Sequence, residues 1–262
     1  MEFALSEEQE AIFDVAYSFG QENIAPFAIQ WENQGTIPKE LWGKISELGF
    51  GGIYVSEEYG GSGLSRLDAT LIFEALAMAC PSVGSFLSIH NMVGGMIDKF
   101  GSDQNKESFL PDLCSMKKIF SYCLTEPGSG SDASALKTKA TRTNEGFILN
   151  GTKSFISGGA YSNAYLTMTR TGEDGPKGIS AIIIEDPSDG LSFGAFEDKM
   201  GWRAQPTAQV QFDDCRVPSD NLIGDEGCGF TYAMAGLDGG RLNIAASALG
   251  GAQFALESSL SY

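Results

Sequence analysis

The sequence predicts an α+β multidomain protein in which an N-terminal α-helical bundle is followed by a middle, barrel-like β-sheet domain and the start of a second helical domain. Three observations support this fold class. Apolar residues recur every three or four positions through residue 117, period-two runs rich in β-branched residues follow, and helical spacing returns after Gly224. We therefore expect an N-terminal α-helical domain over 1–117, a middle β domain over 118–226 and the beginning of a C-terminal α-helical domain over 227–262.

Four helical segments with recognisable ends are predicted in the N-terminal domain. Ser6 can cap the first helix, and Pro38 and Gly49 suit the first position and the stop of a second, short one. Two further runs, over 68–79 and 84–100, keep an apolar stripe and are bounded by proline or glycine. Because each stripe needs a partner surface, we expect the helices to pack as a bundle.

Strand patterns dominate the middle domain. The clearest predicts a β-hairpin, in which residues 147–149 and 154–156 flank Asn150 and Gly151, a pair suited to the positive φ angles of a tight turn. Further strands are expected over 165–169, 178–185 and 207–212. Short strands separated by turn residues are typical of a curved, barrel-like sheet.

The last segment predicts two helices separated by a break. The first covers 230–236, residues 237–240 interrupt it with two glycines, and the second runs from Arg241 to the end of the sequence. An apolar stripe on the second helix has no predicted partner, and its members are Ala245, Leu249, Ala252 and Leu256. We interpret this segment as the start of a third domain that is truncated at Tyr262.

Composition narrows the class of protein. The 262 residues carry a net charge of −17, which argues against nucleic acid and anionic membrane surfaces as partners, since both require a basic footprint. No apolar run is long enough for a membrane span, and the acidic N-terminus lacks the features of a secretory or transit signal. We therefore expect an intracellular protein, cytoplasmic if bacterial and in the mitochondrial matrix if the sequence is a mature eukaryotic form.

Cysteine and histidine usage argues against two kinds of site. The five cysteines are odd in number and contain no C-x-x-C pair, so we expect reduced thiols in the core. His90 is the single histidine, and a serine–histidine triad or a His-based metal site would depend on it alone. We expect no metal site and interpret His90 as a packed polar residue.

The stretch from Tyr122 to Asp132, YCLTEPGSGSD, combines a strand with a candidate ligand-binding loop. Its apolar start can pair in a sheet, and Pro127 ends the run because proline lacks an N–H donor. Gly128 and Gly130 let the backbone turn sharply and approach a ligand, while the hydroxyls of the stretch suit a heteroaromatic ring edge or a phosphate. The glycine- and serine-rich part alone is equally consistent with a solvated turn.

The whole stretch resembles the signature of the acyl-CoA dehydrogenase family, which runs aromatic-Cys-x-Thr-Glu-Pro-x-x-Gly-Ser-Asp. In that family the segment lies against the flavin of FAD, and the serine before the aspartate also contacts the acyl-CoA. The resemblance implies FAD as the cofactor and Ser131 as a residue that faces both ligands. The implied flavin contacts are Tyr122, Cys123, Leu124, Thr125, Glu126, Pro127, Gly128, Ser129, Gly130 and Ser131.

Phe155, Ile156 and Ser157 match a second flavin segment of the family, in which an aromatic residue precedes a threonine or serine by two positions. Side chains two apart on a strand share a face, so the ring and the hydroxyl would meet the flavin together. The family often has tryptophan at the aromatic position, and phenylalanine leaves the role intact. Without the resemblance, Phe155 would be interpreted as a core aromatic.

The tetrad Asp238, Gly239, Gly240 and Arg241 matches the acyl-CoA-binding tetrad of the family. Without the resemblance it would be a hinge followed by a surface arginine. The functional interpretation is CoA binding, because a guanidinium offers a fork of donors to an anionic ligand.

The resemblance implies FAD-dependent α,β-dehydrogenation of an acyl-CoA, with electrons passed to an electron-transferring flavoprotein. The base is expected to be a glutamate beyond Tyr262. A minority branch of the family carries it at the position of Gly240, which has no side chain. No catalytic residue is therefore expected within this chain, and the 262 residues alone should be inactive. The resemblance also implies a homotetramer for the full-length protein.

Four shorter segments resemble the branch of the family that acts on isobutyryl-CoA in valine breakdown; they are 64–68, 88–92, 175–180 and 205–207. They imply isobutyryl-CoA as the substrate and methacrylyl-CoA as the product. Two other interpretations stay open. One is an acyl-CoA oxidase of the same fold, which hands electrons to oxygen, and the other is a non-catalytic acyl-CoA-binding or assembly fragment.

Overall fold

The computed structural model describes residues 4–262 and shows a helical domain, a β-sheet domain and a long final helix in that order. The predicted fold class is confirmed. The helices are α1 (Glu7–Asn23), α2 (Ala28–Gln34), α3 (Lys39–Glu47), α4 (Arg66–Ala79), α5 (Pro81–Phe100), α6 (Asp103–Cys114) and α7 (Gly229–Ser261). The strands are β1 (Phe120–Cys123), β2 (Lys139–Arg142), β3 (Gly146–Ser157), β4 (Ala164–Arg170), β5 (Ile179–Glu185), β6 (Leu191–Phe196), β7 (Thr207–Pro218) and β8 (Leu222–Ile223). Within the described residues, no helix has both the length and the apolar character needed to cross a membrane.

The N-terminal helices form the predicted bundle. Ser6, Ser65 and Ser102 each accept a hydrogen bond from the backbone N–H three residues later, so a side chain caps α1, α4 and α6. α5 takes part in two apolar clusters: Phe86 packs with α3 and α4, whereas Val93 packs with α6 and the sheet. This central helix therefore brings one of its faces beside the β domain.

The eight strands form one connected mixed sheet with the order β6-β7-β3-β2-β4-β5-β8, and β1 pairs with β4 in parallel. β2 joins β4 through the single pair Lys139–Arg170. The two parts of the sheet face each other across a core that includes Phe147, Ile182 and Val210, while the other face of β4 and β5 packs against helices. The sheet thus encloses its own core, in agreement with the barrel-like domain predicted from the sequence.

The predicted hairpin at Asn150 and Gly151 is wrong. β3 continues through both residues and pairs antiparallel with β7. Gly151 has a φ of +147°, but a register shift next to it marks a bulge rather than a turn. A Cβ on Gly151 would lie 2.6 Å from Thr138 Oγ1, so packing against the residue before β2 requires glycine here. Pairing with β7 outweighs the local preference for a turn.

The predicted break at residues 237–240 is also wrong, because α7 is continuous from Gly229 to Ser261. Each glycine weakens a helix by about 1 kcal/mol relative to alanine. On α7, however, small residues allow close packing against α4. A Cβ on Gly250 would lie 2.1 Å from the carbonyl oxygen of Glu74, and Asn243 is fully buried. Burial of this face compensates for the weak helix propensity of the glycines.

The opposite face of α7 carries the predicted apolar stripe, and it is exposed. No helix among the described residues covers its four members, Ala245, Leu249, Ala252 and Leu256. Leu260 extends the same exposed apolar surface toward the end of α7.

Candidate functional site

A cleft of about 500 Å³ opens where α5 and α7 meet the sheet domain. Two helices and two strands that are far apart in the sequence form its walls. The lining residues are Ser88, Ile89, Met92, Tyr122, Leu124, Thr125, Phe155, Ile156, Ser157, Leu237, Gly240, Arg241 and Ile244. Both predicted flavin segments and the predicted acyl-CoA tetrad therefore contribute to one cavity.

β1 and the residues just after it present Tyr122, Leu124 and Thr125 to the cleft. The Tyr122 hydroxyl is buried and has no hydrogen-bond partner among the described residues, and burial raises the pKa of this phenol. Buried polar groups are normally hydrogen-bonded. An unpaired hydroxyl on a residue that lines a cleft therefore fits a ligand that supplies the missing partner.

A bulge in β3 places Phe155 on the cleft. The pairing with β7 shifts register between Lys153 and Ile156, and Phe155 has a positive φ of +58°. A positive φ is unfavourable for a bulky residue, and such strain is concentrated at functional sites. Phe155 is 67% exposed while its neighbour Ile156 is buried, which rules out the alternative interpretation of Phe155 as a core aromatic.

Thr125 and Ser157 are held through their main chains, and their hydroxyls are available to a ligand. The Thr125 carbonyl accepts a hydrogen bond from the Ser154 N–H at 2.8 Å, and the Ser157 carbonyl accepts one from the Ser121 hydroxyl at 2.5 Å. Within the described part of the chain, neither the Thr125 nor the Ser157 hydroxyl has a hydrogen-bond partner. Two free hydroxyl groups therefore line the same cleft as the exposed ring of Phe155.

Glu126 lies outside the cleft lining and ties the two flavin segments together. Its carboxylate accepts a hydrogen bond from Lys153 Nζ at 2.8 Å and from the backbone N–H groups of Lys137 and Thr138 at 2.6 and 2.8 Å. Burial alone would raise the pKa of Glu126, but the Lys153 ammonium and the backbone donors lower it below its ordinary value. The fully buried Lys153 also donates to the Leu124 carbonyl, which joins β3 to the end of β1.

The other residues of the first flavin segment also lie outside the cleft lining. Cys123 is buried in the sheet core, where burial raises the pKa of its thiol to about 12. Ser129 Oγ donates to the Asp132 carbonyl at 2.6 Å and shapes the loop. A Cβ on either loop glycine would meet no atom within 4 Å, so the loop borders open space. The exposed loop residues, whose contacts with a ligand stay predictions, are Pro127, Gly128, Gly130 and Ser131.

The acyl-CoA tetrad divides between two surfaces of α7. Gly240 and Arg241 line the cleft, whereas a Cβ on Gly239 would lie 2.5 Å from the guanidinium of Arg66 on α4. Asp238 pairs with Arg241 at 2.7 Å, and both side chains are 72% exposed. Exposed pairs of this kind contribute little stability. Arg241 is therefore free to exchange Asp238 for an anionic ligand.

The cleft contains one charged side chain, that of Arg241, and none of the described residues lining it carries a carboxylate. Gly240, at the alternative position for a base, has no side chain to act as one. The described residues therefore bring binding groups together without a proton acceptor.

The contribution of α5 was not predicted from the sequence. Ser88, Ile89 and Met92 line the cleft, but an apolar stripe facing a core and one facing a cleft have the same helical period. One signal could have identified these three residues as part of the site, namely the resemblance of segment 88–92 to the branch of the family that acts on isobutyryl-CoA.

His90 lies among these residues on α5, yet its ring is buried away from the cleft lining. Nδ1 accepts a hydrogen bond from the Phe120 N–H at 3.1 Å, and Nε2 donates to the Leu113 carbonyl at 3.0 Å. The interpretation of His90 as a packed polar residue is confirmed.

Comparisons with known proteins agree with the residues gathered at the cleft. The family model for the acyl-CoA dehydrogenase N-terminal domain matches residues 6–117, and the model for the acyl-CoA dehydrogenase middle domain matches residues 121–215. Mitochondrial isobutyryl-CoA dehydrogenase of Dictyostelium discoideum is 56% identical over 96% of this chain, and that of Bos taurus is 51% identical over 95%. The chain spans 61% and 60% of the lengths of these two relatives.

Solved structures show the same likeness. A chain of the solved structure described as "Electron transferring flavoprotein of Acidaminococcus fermentans: Towards a mechanism of flavin-based electron bifurcation" aligns with a TM-score of 0.96 and 39% identity, covering 100% of this chain and 70% of that one. PigA with FAD and proline aligns with a TM-score of 0.95 and 30% identity, with the same coverage of both chains.

Proposed function

The chain belongs to the acyl-CoA dehydrogenase family, and from that premise we propose that the whole protein catalyses the FAD-dependent α,β-dehydrogenation of isobutyryl-CoA to methacrylyl-CoA, a step of valine breakdown. One observation carries the proposal. Two segments with flavin-binding patterns and a tetrad with an acyl-CoA-binding pattern line a single cleft, although they lie up to about 120 residues apart in the sequence.

The residues on the sheet side of the cleft fit a flavin. The exposed ring of Phe155 offers a flat apolar surface, and the unpaired hydroxyls of Tyr122, Thr125 and Ser157 offer donors to a heteroaromatic ring edge. The flavin, when bound, supplies the hydride acceptor. The Glu126–Lys153 ion pair links the first flavin segment to β3, the strand that carries the second one. It therefore helps to hold the Phe155 ring and the three hydroxyls around one ligand.

The residues on the helix side fit an acyl-CoA. Ile89, Met92, Leu237 and Ile244 form an apolar wall suited to a short acyl group, and Arg241 offers its guanidinium to the anionic part of CoA. Because no described residue lining the cleft carries a carboxylate, we propose that a glutamate outside this chain removes the α-proton.

The remaining parts of the proposal rest on the relatives. We propose an electron-transferring flavoprotein as the electron acceptor and a homotetramer as the assembly of the whole protein. The two isobutyryl-CoA dehydrogenases are mitochondrial proteins, and we propose the matrix as the compartment for a eukaryotic source and the cytoplasm for a bacterial one.

The decisive experiment is an anaerobic titration of the whole protein with isobutyryl-CoA, in which the visible flavin band is followed and methacrylyl-CoA is measured. We expect the band to bleach and the product to form in equal amount. An unchanged band in a flavin-loaded protein would contradict the proposal. Rapid peroxide formation in air would instead identify an oxidase, and acyl-CoA binding without flavin would identify a non-catalytic binding protein.

Phe155→Ala tests the position of the flavin, with Phe196→Ala as a matched control. Both phenylalanines belong to strands of the same domain and are mostly exposed, at 67% and 59%, but only Phe155 lines the cleft. Loss of aromatic packing worth about 0.5–1.5 kcal/mol should weaken flavin binding by about 2- to 10-fold in Phe155→Ala. The flavin dissociation constant of Phe196→Ala should equal that of the wild type, and equal constants for both variants would contradict this placement.

A further inference from the structure

A second cavity lies beside the cleft, between α4, α5 and α7. Its volume is about 240 Å³. Its lining residues are Tyr54, Arg66, Met92, Gly95, Met96, Asp98, Lys99, Phe100, Ala235 and Gly236. Met92 belongs to the lining of both cavities, so its side chain lies between them.

The two cavities follow one another along a single groove between α5 and α7. On α5, residues 88–92 line the cleft and residues 92–100 line the second cavity. On α7 the order is reversed, because residues 237–244 line the cleft and residues 235–236 line the second cavity. Both helices therefore line the groove along its whole length, and the side chain of Met92 separates the two cavities.

Glycines on α7 make room for the two methionines of the groove. A Cβ on Gly240 would lie 3.2 Å from Met92 Sδ, and a Cβ on Gly236 would lie 2.6 Å from Met96 Sδ. Met92 is 9% exposed, which places it inside the groove rather than on its rim. Met96 is one turn further along α5 and lines only the second cavity.

We propose that Met92 is the residue that limits the length of the acyl chain, because it closes the cleft behind a short acyl group and keeps longer chains out of the second cavity. This inference rests on the proposed function, in which the acyl group lies in the cleft against the apolar wall from α5 and α7. Once Met92 is shortened, the two cavities become one channel.

The chemistry of the second cavity also sets how far a longer chain can extend. Gly95, Met96 and Gly236 offer an apolar path immediately beyond Met92. Arg66, Asp98 and Lys99 then add charged groups to the lining, and an aliphatic chain gains nothing by contacting them. A channel opened at Met92 should therefore favour an acyl chain of about six carbons over one of about twelve.

The test compares Met92→Ala with Met96→Ala in the whole, flavin-loaded protein. kcat/KM is measured for isobutyryl-, butyryl-, hexanoyl- and dodecanoyl-CoA. Since one methylene in an apolar pocket changes kcat/KM by about 10- to 200-fold, Met92→Ala should raise the hexanoyl-to-isobutyryl ratio by at least about 10-fold. Met96→Ala removes the same atoms one turn away without opening the cleft, so its ratio should match the wild-type ratio.

Binding measurements separate this inference from the proposed function. Dissociation constants for S-butyl-CoA and S-hexyl-CoA, which are thioethers and cannot be oxidised, should show the same selective gain for S-hexyl-CoA in Met92→Ala. The inference would be overturned if Met92→Ala and the wild type had the same preference for the six-carbon ligand over the shorter one. It would also be overturned if Met92→Ala and Met96→Ala gained that preference equally. If Met92→Ala does not fold, Met92→Val must show a smaller gain in the same direction. A selective gain in binding without oxidation of any acyl-CoA would refute the proposed function and leave the role of Met92 intact.

Discussion

Individual buried polar residues connect the elements around the cleft. His90 joins α5 to the end of α6 and to the start of β1 through its two ring nitrogens. Burial lowers the pKa of His90 to about 4, against an ordinary value of 6.5. The ring is therefore neutral at pH 7 and carries its proton on Nε2, the atom that donates to Leu113.

We expect His90 to make the stability of the protein fall in acid. Below pH 6.5 the unfolded chain takes up a proton that the folded protein does not bind until about pH 4, so the free energy of unfolding decreases as the pH falls between these values. The full difference corresponds to about 3 kcal/mol. Urea unfolding of the wild type and of His90→Gln at several pH values measures this pH-dependent part of the free energy of unfolding. The stability of the wild type relative to the variant should decline from pH 7 to pH 4, and parallel pH curves would contradict the prediction.

Phe155 and Glu126 show where a motif is informative and where it is not. The pattern around Phe155 predicted a residue that faces a ligand, and the structure places its exposed ring on the cleft, where contact with a ligand stays a prediction. The same kind of pattern grouped Glu126 with the flavin contacts, whereas its carboxylate pairs with Lys153. That partner follows 27 residues later in the chain, and no local pattern predicts such a pair.

Among the helices, α7 shows how packing overrides local propensity. Its glycines suggested a break, but the face with Gly239, Asn243 and Gly250 is buried against α4. Close packing of two helices needs small residues along the contact. Because the helix is continuous, Gly240 and Arg241 reach the cleft from the same element that carries Leu237 and Ile244.

Gly250→Ala and Gly251→Ala form a matched pair of substitutions on α7. A Cβ on Gly250 would lie 2.1 Å from a backbone oxygen of α4, whereas the nearest atom to a Cβ on Gly251 is Pro81 Cγ at 3.5 Å. Gly250→Ala should lower the free energy of unfolding by about 1–3 kcal/mol through overpacking. Gly251→Ala should raise it by up to about 1 kcal/mol through helix propensity. Chemical denaturation of both variants tests this, and changes of the same sign would contradict the tight contact.

The cleft exists only where the helical bundle, the sheet and α7 meet. α5 contributes one wall, β1 and β3 a second and α7 a third. No single domain contains enough of these residues to enclose a ligand. The described residues also leave the cleft without a carboxylate and leave the apolar stripe of α7 exposed.

We therefore predict that the 262-residue chain by itself does not turn over isobutyryl-CoA. No described residue that lines the cleft can accept the α-proton, so the flavin band of the isolated chain should not bleach when the substrate is added anaerobically. The whole protein, assayed side by side, should bleach under the same conditions. Steady-state formation of methacrylyl-CoA by the isolated chain would show that a base is already present within these residues.

The order of helical and strand regions, the capped start of α1 and the motifs that meet at the cleft could all be predicted from the sequence, because these features depend on residues close together in the chain. Three features follow from contacts between distant segments instead: residues 146–157 form one strand, α7 has no break and α5 lines the site. For β3 and α7 a distant partner, β7 or α4, contributes burial that outweighs a local preference. For α5 the local pattern is helical either way, and only the neighbouring elements decide which of its residues face the cleft. The apolar period of a segment shows that one of its faces is buried, but it does not identify the distant segment that buries it.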